Sequence, residues 1–237
     1  MTHQHPTHGD NPQPCKGIAA QAGDGPAGSF FAVPAKDIMQ QPLGSIPFAA
    51  IDFESSGSAP GETDHPVQIG IIRVDSLLWE QQQSEPLLFD SYIACPHPVR
   101  WGAAQVHGIT SEKLHGAPSM TDLWQPVRDL LRGAVVVGHN PSTEQRHLRA
   151  FPGHGFGPWL DTLVLARRAL PSLPDYALGS ICDMMGLTPQ VDALVPRRWH
   201  DALYDATASL LLLRALIQGL GMESHPIETL DFAMKQG

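Results

Sequence analysis

Two carboxylates, Asp52 and Glu54, stand two residues apart in the segment Phe48–Glu54. Alternation along a strand puts both on one sheet face, beside Phe48 and Ala50. Acids on a face that should be buried repel one another and are costly to desolvate unless a cation lies between them. A third acid, Glu144, shares the helical stripe Glu144, Leu148 and Phe151, spaced i, i+4, i+7. The segment Trp199-His200-Asp201-Ala202-Leu203-Tyr204-Asp205 adds a histidine and a fourth acid, and Asp205 falls on the stripe Ala202, Asp205, Ser209, Leu212, Leu216.

Taken singly, each has a plainer explanation. The strand could end at Ile51 and leave Asp52 and Glu54 in solvent; Glu144 could simply complement a helix dipole; Asp201 could belong to a capping cluster with Asp205 an ordinary surface acid. Together, four carboxylates and one histidine are the inventory of a two-metal phosphoryl-transfer site. There, cations activate water and stabilise the leaving oxygen while a base takes the proton. Histidine suits the base, since its unperturbed pKa of about 6.5 lies near working pH.

Elements able to position these groups are legible from about Pro47 onward. Phe48–Glu54, Val67–Val74 and Leu87–Ala94 read as strands, rich in β-branched and aromatic residues. Ser119 and Asp122 resemble a capping box opening a helix that Gly133 ends. Ala134–Gly138 is a short apolar strand covered on both faces, and Asn140-Pro141 reads as the N-cap and first position of a helix to about Phe151. Trp159–Leu160 is a last short strand, followed by helices at Thr162–Leu170, Pro174–Met185 and Asp201–Gln218. Three hairpin-linked strands followed by β/α alternation predict an α/β domain with a mixed five-stranded sheet flanked by helices. No internal repeat is present.

Composition removes other classes. The 237 residues carry 15 Lys and Arg against 24 Asp and Glu, a net charge of −9. That balance disfavours broad electrostatic capture of nucleic acid, although a local basic rim fits. Arg146, Arg149, Arg167, Arg168, Arg197 and Arg198 are rim candidates, with solvated helix faces as the alternative. Apolar runs are far shorter than the ~20 residues of a membrane span. Three isolated cysteines argue against a disulfide scaffold. With no basic-then-apolar leader pattern, the expected compartment is the cytoplasm. Residues 1–46 hold six Gly and six Pro, a proportion that predicts a disordered low-complexity tail. The expected division is a tail at 1–46, a catalytic domain at 47–220 and a C-terminal extension at 221–237.

The ordered motifs resemble the DnaQ-like, DEDDh-type 3′→5′ exonucleases, a group that includes the proofreading epsilon subunit of DNA polymerase III and RNase T. Ile51-Asp52-Phe53-Glu54-Ser55-Ser56-Gly57 resembles the family's first motif, and Val67-Gln68-Ile69-Gly70 the strand after it. Val106-His107-Gly108-Ile109-Thr110 is similar to a landmark beside the nucleotide pocket. Gly138-His139-Asn140 opens the second acidic motif, Asp161-Thr162-Leu163 matches a structural landmark, and His200 with Asp205 resembles the third motif. The resemblance covers most of residues 47–220 and implies a ribonuclease H-like fold.

It further implies that Asp52, Glu54 and Asp205 hold one of two divalent cations, Mg²⁺ or Mn²⁺, that Asp52 and Glu144 hold the other, and that His200 is the general base. Ser55, Ser56 and Gly57 would lie near the terminal nucleotide, His107, Gly108 and Ile109 near its base, and Asn140 with them as a substrate contact. The second motif usually carries Asp; Glu144 is one methylene longer but keeps the oxygen donors. The implied activity is 3′→5′ exonuclease on single-stranded DNA or RNA with a free 3′ end, releasing nucleoside 5′-monophosphates; the modest length after the third motif leads to the expectation of a stand-alone enzyme. A DNA polymerase partner or a homodimer is compatible with it. A catalytically weak nucleic-acid or polymerase-binding module is the competing reading, and a ribonuclease H-type endonuclease a third.

Overall fold

The central strand owes its place to its sequence: Phe48, Ala49, Ala50 and Ile51 are small or apolar on both faces, and all four are buried. A computed structural model describes residues 38–59, 61–151 and 153–235. Strand β1 (Phe48–Ser55) pairs antiparallel with β2 (Pro66–Val74), and β2 antiparallel with β3 (Leu87–Tyr92). On its other side β1 runs parallel to β4 (Val135–Gly138), and β4 parallel to β5 (Trp159–Asp161). These are the five expected strands. A two-residue strand, β6 (Met234–Lys235), adds antiparallel to β5, giving the order β3-β2-β1-β4-β5-β6.

Helices cover both faces. The face bearing Phe48 and Ala50 packs against α7 (Ala202–Gly219), a leucine-rich helix buried almost all round. Flanking α7 are α4 (Thr162–Ala169), α5 (Leu178–Met184) and α6 (Thr188–Leu194). The opposite face, with Ala49, Ile51 and Phe53, meets α2 (Trp124–Leu131) and α3 (Ser142–Leu148). The remaining helix, α1 (Trp101–His107), lies between β3 and α2 in the chain. Among the described residues no helix is long and apolar enough to cross a membrane.

Several boundaries differ from the sequence expectation, each for a local reason. Residues 38–46, assigned to the tail, belong to the domain: Ile38, Leu43 and Ile46 are buried in the α7-side core. Leu43 N–H donates to His225 O (2.9 Å) and Gly44 N–H to Glu223 O (2.8 Å), so this segment is fastened to the C-terminal one. That C-terminal segment buries Ile227, Leu230 and Ala233 in turn. The rest of the expected tail, residues 1–37, lies outside the described residues. Asn140 is no N-cap: it sits at φ 62°, its N–H donating to Asp161 Oδ1 (3.0 Å), and the helix starts at Ser142. Helices α1 and α6 were not expected. Each is seven residues long and buries one side chain, His107 or Val191, so neither writes a periodic stripe. The Ser119–Asp122 hydrogen bonds form, with Ser119 N–H to Asp122 Oδ2 at 2.9 Å and Asp122 N–H to Ser119 Oγ at 3.3 Å, but they close a turn ahead of α2, which starts at Trp124 after Leu123 with no side-chain cap.

Candidate active site

Gly70 decides how close the longest helix comes to the sheet. It pairs with Asp52 across β1 and β2, and a Cβ there would lie 2.1 Å from the backbone nitrogen of Leu203 and 2.2 Å from the carbonyl carbon of Ala202. Both are backbone atoms that cannot swing aside, so the first turn of α7 rests directly on the strand only because residue 70 has no side chain. Next along the strand, Gln68 sits opposite Glu54. Its Oε1 accepts the Ala202 N–H (3.2 Å) and its Nε2 donates to Asp201 Oδ2 (3.0 Å).

Asp201 is the N-cap that the sequence suggests, accepting the N–H groups of Leu203 (3.2 Å) and Tyr204 (3.3 Å). Arg197 donates to both of its oxygens at 3.1 Å and pairs with Asp90 on β3 at 2.9 Å. The start of α7 is therefore held by a strand glutamine, its own cap and an arginine bridge to the sheet edge.

That anchoring fixes Asp205 one turn later. Asp205 Oδ2 accepts the backbone N–H of His200 at 3.2 Å, and its Oδ1 is buried with no hydrogen-bond partner among the described residues. His200 is exposed and held at φ 65°. Glu54, His200 and Asp205 each offer a ligand atom within 4.8 Å of the others. Glu144, on α3, is buried at 6% exposure; it and Asp52 fall outside that three-residue group, and its charge acts on Asp52 and Glu54.

The electrostatics record this crowding. Burial raises the Asp52 carboxyl well above its ordinary range, and repulsion from Glu144, Asp205 and Glu54 adds to it. Glu54 is pushed up to about 8, first by burial and then by Asp205, Asp201 and Glu144. Burial lifts Asp205 to about 7, partly offset by the His200 N–H. Carboxylates that hold protons this tightly, one with an orphaned buried oxygen, form a set of hard donors that a divalent cation would satisfy. The residues fit the metal that their sequence pattern implies.

Of the expected substrate residues, Ser55, Ser56 and Gly57 follow Glu54 directly and His107 is tied to Ser55, several with their side chains already engaged. Ser55 is half-buried after Glu54. Ser56 is buried, its hydroxyl accepting the His65 N–H (3.0 Å) and donating to Gly57 O (3.2 Å), while Gly57 turns the chain at φ 72°. His107 is buried, its Nδ1 accepting the Ile109 N–H (3.0 Å), so Nε2 carries the proton and donates to Ser55 O (3.1 Å). Ile109 packs with Val67 and Leu114. Ser56, His107 and Ile109 thus hold the loop beside Glu54, with half-buried Gly108 between the latter two. Asn140 instead borders a cavity of about 520 Å³ lined also by His139 and Tyr176 and by none of the carboxylates of the cluster. Asp161, kept apart from the metal ligands in the sequence reading, is fully engaged as the α4 cap and as acceptor for Asn140. Sequence reasoning did not assign Gln68 and Arg197 to the site. Gln68 had a readable signal, a polar residue opposite Glu54 in a buried strand, whereas Arg197 stood among many rim candidates.

The RNase T exonuclease family profile matches residues 49–213. A DNA polymerase III subunit epsilon-like protein of Rhodobacter capsulatus is 26% identical over 187 residues, covering 77% of this chain and 25% of that protein. A PolC-type DNA polymerase III of Oceanobacillus iheyensis is 28% identical over 141 residues, covering 56% and 9%. The chain thus spans a quarter or less of these relatives' length. Among solved structures, exonuclease X in complex with 5′-overhanging duplex DNA superposes with a TM-score of 0.61 at 22% identity, covering 78% of this chain and 99% of that one. The nuclease domain of 3′hExo, a DEDDh family member bound to rAMP, gives 0.59 at 14% identity, covering 76% and 95%. These likenesses establish the ribonuclease H-like fold.

Proposed function

The chain belongs to the RNase T exonuclease family, and from that premise we propose a metal-dependent 3′→5′ exonuclease. It hydrolyses the terminal phosphodiester of single-stranded DNA or RNA and releases nucleoside 5′-monophosphates. The observation that carries this reading is the group of Glu54, His200 and Asp205, whose ligand atoms lie within 4.8 Å of one another, beside a buried Asp52 whose carboxyl is raised by burial and by the charges of Glu144, Asp205 and Glu54. Asp52, Glu54 and Asp205 would hold one divalent cation, and Asp52 with Glu144 a second, with Mg²⁺ or Mn²⁺ suited to such oxygen donors. When bound, the cations supply positive charge to the attacking and leaving oxygens.

The chain's own groups do the rest. His200, exposed at the rim, takes the proton of the attacking water as the water oxygen bonds to phosphorus. The bond from phosphorus to the 3′ oxygen of the penultimate nucleotide breaks, and that oxygen leaves with the electron pair and collects a proton. Because the His200 N–H is bonded to Asp205, the base and a metal ligand are positioned together. The extra methylene of Glu144 leaves its carboxylate near enough for its charge to act on both Asp52 and Glu54. That weakens the case for a module that binds without hydrolysing.

The reading extends to a cytoplasmic enzyme, and the relatives' names make a DNA polymerase the first partner to test. Incubation with a linear single strand and its covalently closed circle tests the activity. Nucleoside 5′-monophosphates from the linear strand and an intact circle are expected. Nicking of the circle would overturn the reading in favour of an endonuclease.

A further inference from the structure

The residues leading into His200 are used in three different ways. Arg197 is engaged by Asp90 and Asp201. Trp199 is wedged between α5 and α7: its ring meets that of Tyr204 edge-on at 4.9 Å, and a Cβ on Gly179 would lie 3.4 Å from it. Arg198, between these anchored neighbours, is exposed and leans over Gly108. A Cβ on Gly108 would sit 2.4 Å from Nη2 of Arg198, so the guanidinium lies directly over that stretch of backbone. Lys113 Nζ donates to Gly108 O at 2.8 Å. Two cations therefore converge on one residue, and neither is within ion-pair distance of a carboxylate among the described residues.

The place is adjacent to the carboxylate cluster along two chain segments. Arg198 is two residues before His200, so their Cα atoms lie within about 7 Å. Gly108 follows His107, whose ring is bonded to the carbonyl of Ser55, the residue after Glu54. A polyanion approaching four carboxylates on a chain of net charge −9 meets repulsion that local cations must offset. A guanidinium offers a planar fork for phosphate oxygens, and an ammonium a point charge beside it.

We propose that Arg198 and Lys113 clamp the phosphodiester group one nucleotide 5′ of the scissile one in a single-stranded substrate, a subsite that rests on the nuclease reading above. Gly108 is the floor of that clamp. The clamp acts on binding of the strand and not on the bond-breaking step, and it needs a substrate with at least two phosphodiesters.

The test compares wild type with Arg198→Met and Lys113→Met on a dinucleotide, which has the scissile phosphodiester alone, and on a trinucleotide, which has the next one as well. For Arg198→Met the expected result is a KM raised about tenfold on the trinucleotide relative to any change on the dinucleotide, with kcat nearly kept. Lys113→Met should do the same more weakly. In parallel, equilibrium binding of a fluorescein-labelled dT10 strand is measured against KCl concentration. Each lost phosphate contact should flatten the log–log salt slope by about 0.7. Equal losses on both substrates, or an unchanged salt slope, would overturn the clamp. Absence of hydrolysis by the wild type would overturn the nuclease reading instead, and the salt slopes would still decide on the clamp.

Discussion

Replacing Glu54 with Gln should stabilise the metal-free protein, and by an amount that depends on pH. The substitution keeps shape and removes a charge that burial and its neighbours Asp205, Asp201 and Glu144 disfavour. The carboxyl titrates near 8 in the folded chain against an ordinary value of 4.5. A raised acid pKa means that the folded state binds the proton more tightly than the unfolded state. Stability from this group is therefore complete below about pH 4.5 and is lost as pH rises toward 8. At pH 7, 2.5 pH units above the unfolded value, the loss amounts to about 3.4 kcal/mol. Partial contact with solvent screens the charge, so about 2 kcal/mol is the working figure. For a domain of this size that is a Tm higher by about 4–8 °C for Glu54→Gln. Thermal unfolding in EDTA at pH 4.5 and pH 7.5 reads it: the variant should gain at pH 7.5 and match wild type at pH 4.5. Adding Mn²⁺ should reverse the order, because wild type keeps the fuller ligand set. A gap of equal size at both pH values, or a variant less stable than wild type in EDTA at pH 7.5, would refute the reasoning.

Three further outcomes are expected. Gly70→Ala forces a methyl against the backbone of Ala202 and Leu203, and calorimetry should find a loss of about 3 kcal/mol with activity falling further as Asp205 shifts. Arg197→Met frees Asp201 and Asp90, so the Tm should fall by the equivalent of about 1–2 kcal/mol and kcat about tenfold; Arg197→Lys should recover only part, since an ammonium lacks the guanidinium's fixed fork. A chain starting at residue 47 should lose roughly 5 kcal/mol relative to one starting at residue 38, because Ile38, Leu43 and Ile46 leave the core; equal urea midpoints would contradict this.

The positions of the candidate ligands were legible because these residues sit on regular elements. Asp52 and Glu54 share a face by strand alternation, and Glu144 and Asp205 fall on the inward stripes of their helices, so periodicity alone aimed them at the sheet. The anchoring of α7 was not legible. Gln68 meets Ala202 and Asp201 across more than 130 residues, and no local spacing encodes such a partnership. Ser56 and Ile109 sit beside the site yet turn their side chains into the fold, a choice that only tertiary packing makes. The short helices α1 and α6 bury one residue each, too little to leave a pattern. The segment 38–46 was hidden by the composition of what precedes it, where averaging over Gly and Pro masked three core aliphatics.

The most direct measurement incubates wild type and Asp52→Ala with a 5′-labelled single-stranded DNA and its RNA counterpart in Mg²⁺, in Mn²⁺ and in EDTA. A ladder shortening from the 3′ end in metal, absent in EDTA and absent in the variant, is the expected result. Full activity in Asp52→Ala, or an intact wild-type substrate in every lane, would contradict the account.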